Sequence, residues 1–258
     1  MGKIYTIANQ KGGVGKTTTA INLGAYLAQL DQRVLLVDMD PQANATSSLG
    51  IDKTQVEGGT YQAILEDHSI QKFILTNPKL KLYILPSSPE LAGAEVELVH
   101  EVGRESLLRR SLEPLEDLYD YIIIDCPPSL GLLTLNGLVA AKHGVLIPVQ
   151  CEYLAMEGLS QLISTIDRVR RVIFPELTVR GVILTMYDAR TNLAGDVVEE
   201  VKKYFPQQVF QTIIPRSVRL AEAPSYGVPI HIYSPKSQGA QAYQKLAQEL
   251  LDQDQKSP

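Results

Sequence analysis

Ile4-Tyr5-Thr6-Ile7-Ala8-Asn9-Gln10-Lys11-Gly12-Gly13-Val14-Gly15-Lys16-Thr17-Thr18 is the stretch that decides the fold. The apolar run Ile4 to Ala8 reads as a strand, the glycines as a turn, and Lys16 to about Leu30 as a helix. A strand, a glycine-rich turn and a Lys-Thr pair opening a helix form the context in which a loop wraps phosphates. Glycines let backbone amides point inward, and the helix start adds positive potential. Gly12, Gly13, Val14, Gly15 and Thr18 are thus expected to line the phosphates of ATP. Lys16 is expected to reach the β- and γ-phosphates, and Thr17 to ligate magnesium.

Moving outward, Arg33–Val37, Leu82–Leu85, Tyr121–Ile124, Val145–Val149, Val179–Leu184 and Val209–Ile213 read as further strands. Several are apolar without interruption, as in strands covered on both faces of a parallel sheet. Helical patterns fill the intervals: 105–118, 130–141, 159–172, 194–204 and 238–251. The expected fold is α/β, a doubly wound and mostly parallel sheet flanked by helices on both faces, with 1–258 as one domain. Residues 52–80 have the weakest pattern and are expected to hold short helices and loops. The polar ending 252–258 is expected to fray.

Two strands end in acids. Asp38 and Asp40 close the second strand, two apart, on the same side of the chain. Asp-Pro often caps a turn, and that alternative is open for Asp38. Tyr121-Ile122-Ile123-Ile124-Asp125 is the Walker B pattern, and its acid can hold magnesium directly or through water.

The loop departs from G-x-x-x-x-G-K-[ST] because its first position is Lys11. In this it resembles the deviant Walker A loop of the ParA/MinD ATPases. The resemblance to the Soj-type ParA branch extends over nearly the whole chain, as in Pro148-Val149-Gln150-Cys151-Glu152-Tyr153 and Ile214-Pro215-Arg216-Ser217-Val218-Arg219-Leu220. It implies a homodimer with ATP, in which Lys11 crosses to the partner's nucleotide. It gives Asp40 the attacking water and Asp38 a supporting role near the metal. It also implies that the loop with Pro215 and Ser217 contacts the base through backbone groups, Ser217 departing from the asparagine that the resemblance leads one to expect, and that Met186 packs against adenine. Soj-type proteins bind double-stranded DNA without sequence preference. Arg190, Arg216, Arg219 and Lys236 are the candidate phosphate contacts here, each equally readable as a surface cation or an ion-pair member. A ParB-like protein is the implied activating partner, and a cytoplasmic, nucleoid-associated location follows.

The bulk numbers limit the alternatives. In 258 residues the net charge is -5, which excludes a generally basic nucleic-acid binder but not a local basic face. The two cysteines, Cys126 and Cys151, form no CxxC pair and are poorly placed to bridge an iron–sulfur cluster. Gln244 to Asp254 is acidic at its end and poor in Lys, Arg and aromatics. A MinD-like membrane-cycling tail would need a basic amphipathic helix there. ParA-like positioning of another cargo would use the same ATPase with a different partner.

Overall fold

The computed structural model describes residues 2–66, 70–153 and 155–256. β1 (Lys3–Ile7) runs through the glycine loop into α1 (Lys16–Gln29), and β2 (Val34–Asp38) follows. α2 (Asn44–Ser48), α3 (Thr60–Leu65) and β3 (Leu75–Asn77) precede β4 (Leu82–Leu85). α4 (Leu91–Glu97) and α5 (Leu107–Leu112) lead to β5 (Tyr121–Asp125). Then come α6 (Leu132–Ala140), β6 (Val145–Gln150), α7 (Ala155–Val172) and β7 (Val179–Thr185). α8 (Asn192–Tyr204), α9 (Val218–Glu222), α10 (Ile230–Tyr233) and α11 (Gln238–Lys256) complete the described chain.

The strands form one sheet in the order β3-β4-β2-β5-β1-β6-β7, parallel except for β3. Side-chain alternation divides each inner strand between two cores. Ile4, Leu35, Val37, Ile122 and Ile124 face a core shared with α3 to α8. Tyr5, Ile7, Val34, Leu36 and Ile123 face the other, shared with α1 and α11. This doubly covered sheet matches the expected class. Its register places Ile7, Asp38 and Asp125 side by side, so the carboxyl ends of three strands define one site.

Four expectations need correction. Val209–Ile213 is not a regular strand. It meets β7 through an isolated bridge at Val182 and Val209, and pairing resumes only at Ile214 and Pro215. Between them, the Gln211 and Thr212 amides donate to the Glu249 carboxylate of α11 at 2.7 and 3.0 Å, which takes them out of the ladder. The 105–118 helix shortens to α5 and a 3-10 turn over Glu113–Leu115, because Pro114 cannot donate in a continuing helix. Residues 52–80 contain, besides short helices, the antiparallel edge strand β3. The ending is helical through Lys256, and 257–258 lie outside the described residues.

The last correction has an energetic cause. The Asp254 carboxylate accepts the Tyr5 hydroxyl at 2.6 Å, the Tyr121 hydroxyl at 2.9 Å and Arg180 Nη2 at 3.0 Å. Its side chain is only 7% exposed. Removing it strands three donors, which costs about 2–3 kcal/mol. Asp254→Ala is therefore expected to lower the melting temperature by about 5–10 °C. Thermal scans beside the wild type check this, and a shift below about 2 °C would mean that the clasp contributes nothing.

Candidate active site

The glycine loop takes its shape from two left-handed residues, Gly13 at φ 73° and Gly15 at φ 90°, where a side chain would be strained. Gly15 caps α1, so the first amides of that helix open onto the loop. Polar residues from other strand ends hold the loop in place. The Thr185 hydroxyl at the end of β7 donates to the Val14 carbonyl at 2.8 Å. Asn9 donates to the Pro148 carbonyl at 2.7 Å and accepts the Lys11 amide at 3.0 Å. Sequence reasoning missed both. Their only signal was a polar residue directly after an apolar run.

Two lysines of the loop have different surroundings. Lys16 is 7% exposed, and its ammonium donates to the Lys11 carbonyl at 3.3 Å. Burial pulls its pKa down, partly offset by Asp125 and Asp40. The Lys11 ammonium lies at the surface, 3.4 Å from the Tyr153 carbonyl. Tyr153 is itself exposed.

The three acids also differ. Asp38 is fully buried and its oxygens are engaged. Oδ1 accepts the Asp40 amide at 3.1 Å, and Oδ2 accepts the Thr46 amide at 2.9 Å and hydroxyl at 2.7 Å. Burial pushes its pKa up to about 6. Asp40 lies beyond the strand, where its Oδ1 accepts the Gln42 amide at 2.9 Å in an Asx turn. Its carbonyl accepts the Ser87 hydroxyl at 2.8 Å. Capping is thus shared by both acids rather than confined to Asp38. Asp125 is fully buried, and neither of its oxygens has a hydrogen-bond partner. Burial first, then the Asp38 carboxylate, raises its pKa well above the carboxylate range, while Thr17 and Lys16 offset part of this.

A buried acid with no partner is expensive unless a ligand satisfies it. Residues 2–179 match a family described as an AAA domain. A chromosome partitioning protein ParA of Myxococcus xanthus is 56% identical over 259 residues, covering 100% of this chain and 91% of that one. The sporulation initiation inhibitor protein Soj of Bacillus subtilis is 56% identical over 250 residues, covering 97% and 98%. The chain belongs to the ParA/Soj family of partitioning ATPases. Among solved structures, a Mycobacterium smegmatis protein described as cobyrinic acid a,c-diamide synthase, with bound ATP analogue and magnesium, has a TM-score of 0.88. It is 39% identical and covers 100% of this chain and 98% of that one.

The donor set fits a magnesium nucleotide. Asp125 supplies an unsatisfied carboxylate beside the Thr17 hydroxyl. Among the described residues no three His, Cys, Asp or Glu side chains form a metal cage of their own. That suits magnesium, which takes one or two protein ligands and fills the rest of its shell with phosphate and water.

The remaining candidates of this ParA/Soj chain are spread around the site. Met186 has φ 51°, a conformation uncommon for its type, and its methyl lies near Gly15. Pro215 bridges to Tyr187, and Ser217 caps α9 through its backbone. Arg190 forms a two-pronged pair with Asp188 at 2.8 and 2.7 Å. That pair holds the Asp188 carboxyl well below the usual range. Arg216 pairs with Glu152, and Arg219 with Glu222 at 2.9 Å. Lys236 is exposed in the turn before α11. In this state three of the four cations expected at DNA are held by acids of their own chain.

Proposed function

We propose that this chain, acting as one domain, is an ATP-dependent dimerisation switch for chromosome or plasmid partitioning. With ATP and magnesium two copies close on each other, and the pair holds double-stranded DNA without sequence preference. A ParB-like partner stimulates hydrolysis, after which the copies separate. The observation that carries this is the contrast between the two lysines. Lys16 is buried within its own loop, whereas Lys11 sits on the rim with its ammonium at the surface. A rim cation can meet the phosphates of a second copy and stabilise the charge that develops on the transferred group.

Thr17 and Asp125 would hold magnesium, with Asp38 in support by bonding to Asp40 and Thr46. The metal would neutralise charge on the phosphates. Asp40, seated by its amide, its carboxylate and its carbonyl, would orient the attacking water. Intrinsic turnover is expected below about 1 per second. Arg190, Arg216 and Arg219 would have to exchange their acidic partners for DNA phosphates. A cytoplasmic, nucleoid-associated location fits this cycle. Asp254 of α11 is taken up by Tyr5, Tyr121 and Arg180 of the sheet, which gives a membrane-cycling reading of this helix little support.

The test is retention on DNA and on anionic liposomes, with ATP, ADP and no nucleotide. DNA retention with ATP alone is the expected result, lost steeply as salt rises. Asp40→Ala is expected to accumulate as a DNA-bound dimer with ATP on a sizing column. A variant that stays monomeric with ATP would overturn the switch. Liposome retention in place of DNA would favour the membrane reading, and retention on neither a metabolic role such as the mycobacterial neighbour's name suggests.

A further inference from the structure

Asn22 is a polar side chain in the middle of α1, 4% exposed. Burying an amide costs free energy unless both its ends find partners. Here both do. Nδ2 donates at 2.8 Å to the carbonyl of Thr18, in the first turn of α1 beside the glycine loop. Oδ1 accepts the Ile230 amide at 2.8 Å. Ile230 is the first residue of α10 and follows Pro229, so its amide is a helix-start donor without a partner in its own helix. One turn further along α1, the Tyr26 ring packs on the His231 ring with centroids 5.4 Å apart. α10 is therefore seated on one face of α1 at two successive turns.

The segment is tied to α2 as well. Gly227, at φ 65°, backs onto Gly50, at φ 78°, so closely that a Cβ on Gly227 would fall 2.7 Å from Gly50 Cα. Gly50 follows α2, whose Thr46 is held by Asp38. A crevice of only about 20 Å³ lies among Thr17, Thr18, Ser48, Pro224 and Pro229. Close packing of this kind passes a shift on rather than absorbing it. At the far end of the segment, Tyr233 and Arg219 both donate to Glu222 Oε2 at 2.9 Å, which fixes Arg219 relative to α10.

We propose that Asn22 is a positioning residue that transmits nucleotide occupancy of the glycine loop to segment 218–233. A ligand that orders the first turn of α1 orders the Thr18 carbonyl, the Asn22 amide and the Ile230 amide together. The contacts to α2 hold the other end of the segment, so both elements that carry the active-site polar groups set the position of Arg219. This regulation rests on the ATP-switch reading, which makes Arg219 a DNA contact.

Hydrogen–deuterium exchange of the full chain, with no nucleotide, with ADP and magnesium, and with ATP and magnesium, tests it directly. In the wild type, nucleotide is expected to slow exchange over 228–233 by about fivefold or more. In Asn22→Ala the response is expected to fall below about twofold, while nucleotide affinity stays within about threefold of wild type. Asn22→Asp keeps an acceptor for the Ile230 amide but loses the donor to Thr18. It is expected to keep α10 protected without nucleotide yet lose the nucleotide response, and it carries the test if the alanine variant does not fold. No nucleotide response in the wild type, or a full response in the aspartate variant, overturns the proposal. The outcome is separable from DNA binding. If the exchange pattern holds and ATP confers no DNA retention, the relay stands and the DNA reading falls.

Discussion

Asp125→Asn is expected to raise the melting temperature of the nucleotide-free chain and to remove the magnesium-dependent part of the stabilisation it gains from ATP. Asp125 is fully buried with both carboxylate oxygens unpartnered. Keeping this acid buried, by holding a proton on it or a charge out of water, costs about 1–3 kcal/mol or more, and an amide of the same shape needs neither. In a chain of this size each kcal/mol is worth about 2–4 °C. A rise of about 2–10 °C is expected. Wild type at a hundredfold excess of ligand over Kd gains about 2.7 kcal/mol. The magnesium-dependent part of that gain is expected to vanish in the variant. Stability without nucleotide also depends on pH. Burial raises the pKa of Asp125, and it moves Asp38 from 3.8 to about 6, so the folded state holds these protons more tightly than the unfolded chain does. Stability is therefore present at low pH and lost as pH rises through that interval. The loss is expected to be shallower in Asp125→Asn. Calorimetry at several pH values, with and without ATP and magnesium, reads all three effects. A variant less stable than wild type without nucleotide would remove Asp125 as the acid kept for the metal.

Lys11→Ala is expected to bind ATP with little loss, to remain monomeric with it, and to lose partner-stimulated turnover by roughly 10³-fold or more, the scale of a cation supplied in trans to phosphoryl transfer. The Lys11 side chain contributes one long contact to the Tyr153 carbonyl, so its removal leaves the loop intact. Its backbone does more, since the amide binds Asn9 and the carbonyl receives Lys16, and alanine keeps both. Equilibrium nucleotide binding, sizing with ATP and stimulated phosphate release separate the two lysines. Loss of ATP binding itself would place Lys11 in cis, and an unchanged dimer would end its role as the bridging residue.

Much of the fold was legible because parallel strands buried on both faces are apolar at every position. Val34 to Val37 and Tyr121 to Ile124 are all buried, and neither run needs a distant partner to be recognised. The loop was legible for a different reason. Positive φ at Gly13 and Gly15 demands glycine, and phosphate demands a lysine at a set distance, so backbone geometry and chemistry wrote the same residues. β3 was missed because its three residues are exposed or half-buried and show no alternation. Val209–Ile213 was overread because the residue that interrupts its ladder, Glu249, arrives from another helix.

The candidate site divides along the same line. By itself the sequence determined the glycine loop, the acids at two strand ends and the family, since each is encoded locally and in order. Only the tertiary structure decided which acid is free. Asp38 and Asp125 lie side by side in register, yet Thr46 bonds to the first, while the second has only the Thr17 hydroxyl and the Lys16 ammonium in its neighbourhood. The folded chain likewise paired Arg216 with Glu152 across 64 positions, and tied α10 to α1 through Asn22 across 208. Hydrogen bonds and charge pairing act over a few ångströms whatever the separation along the chain, so only folding could reveal those partners.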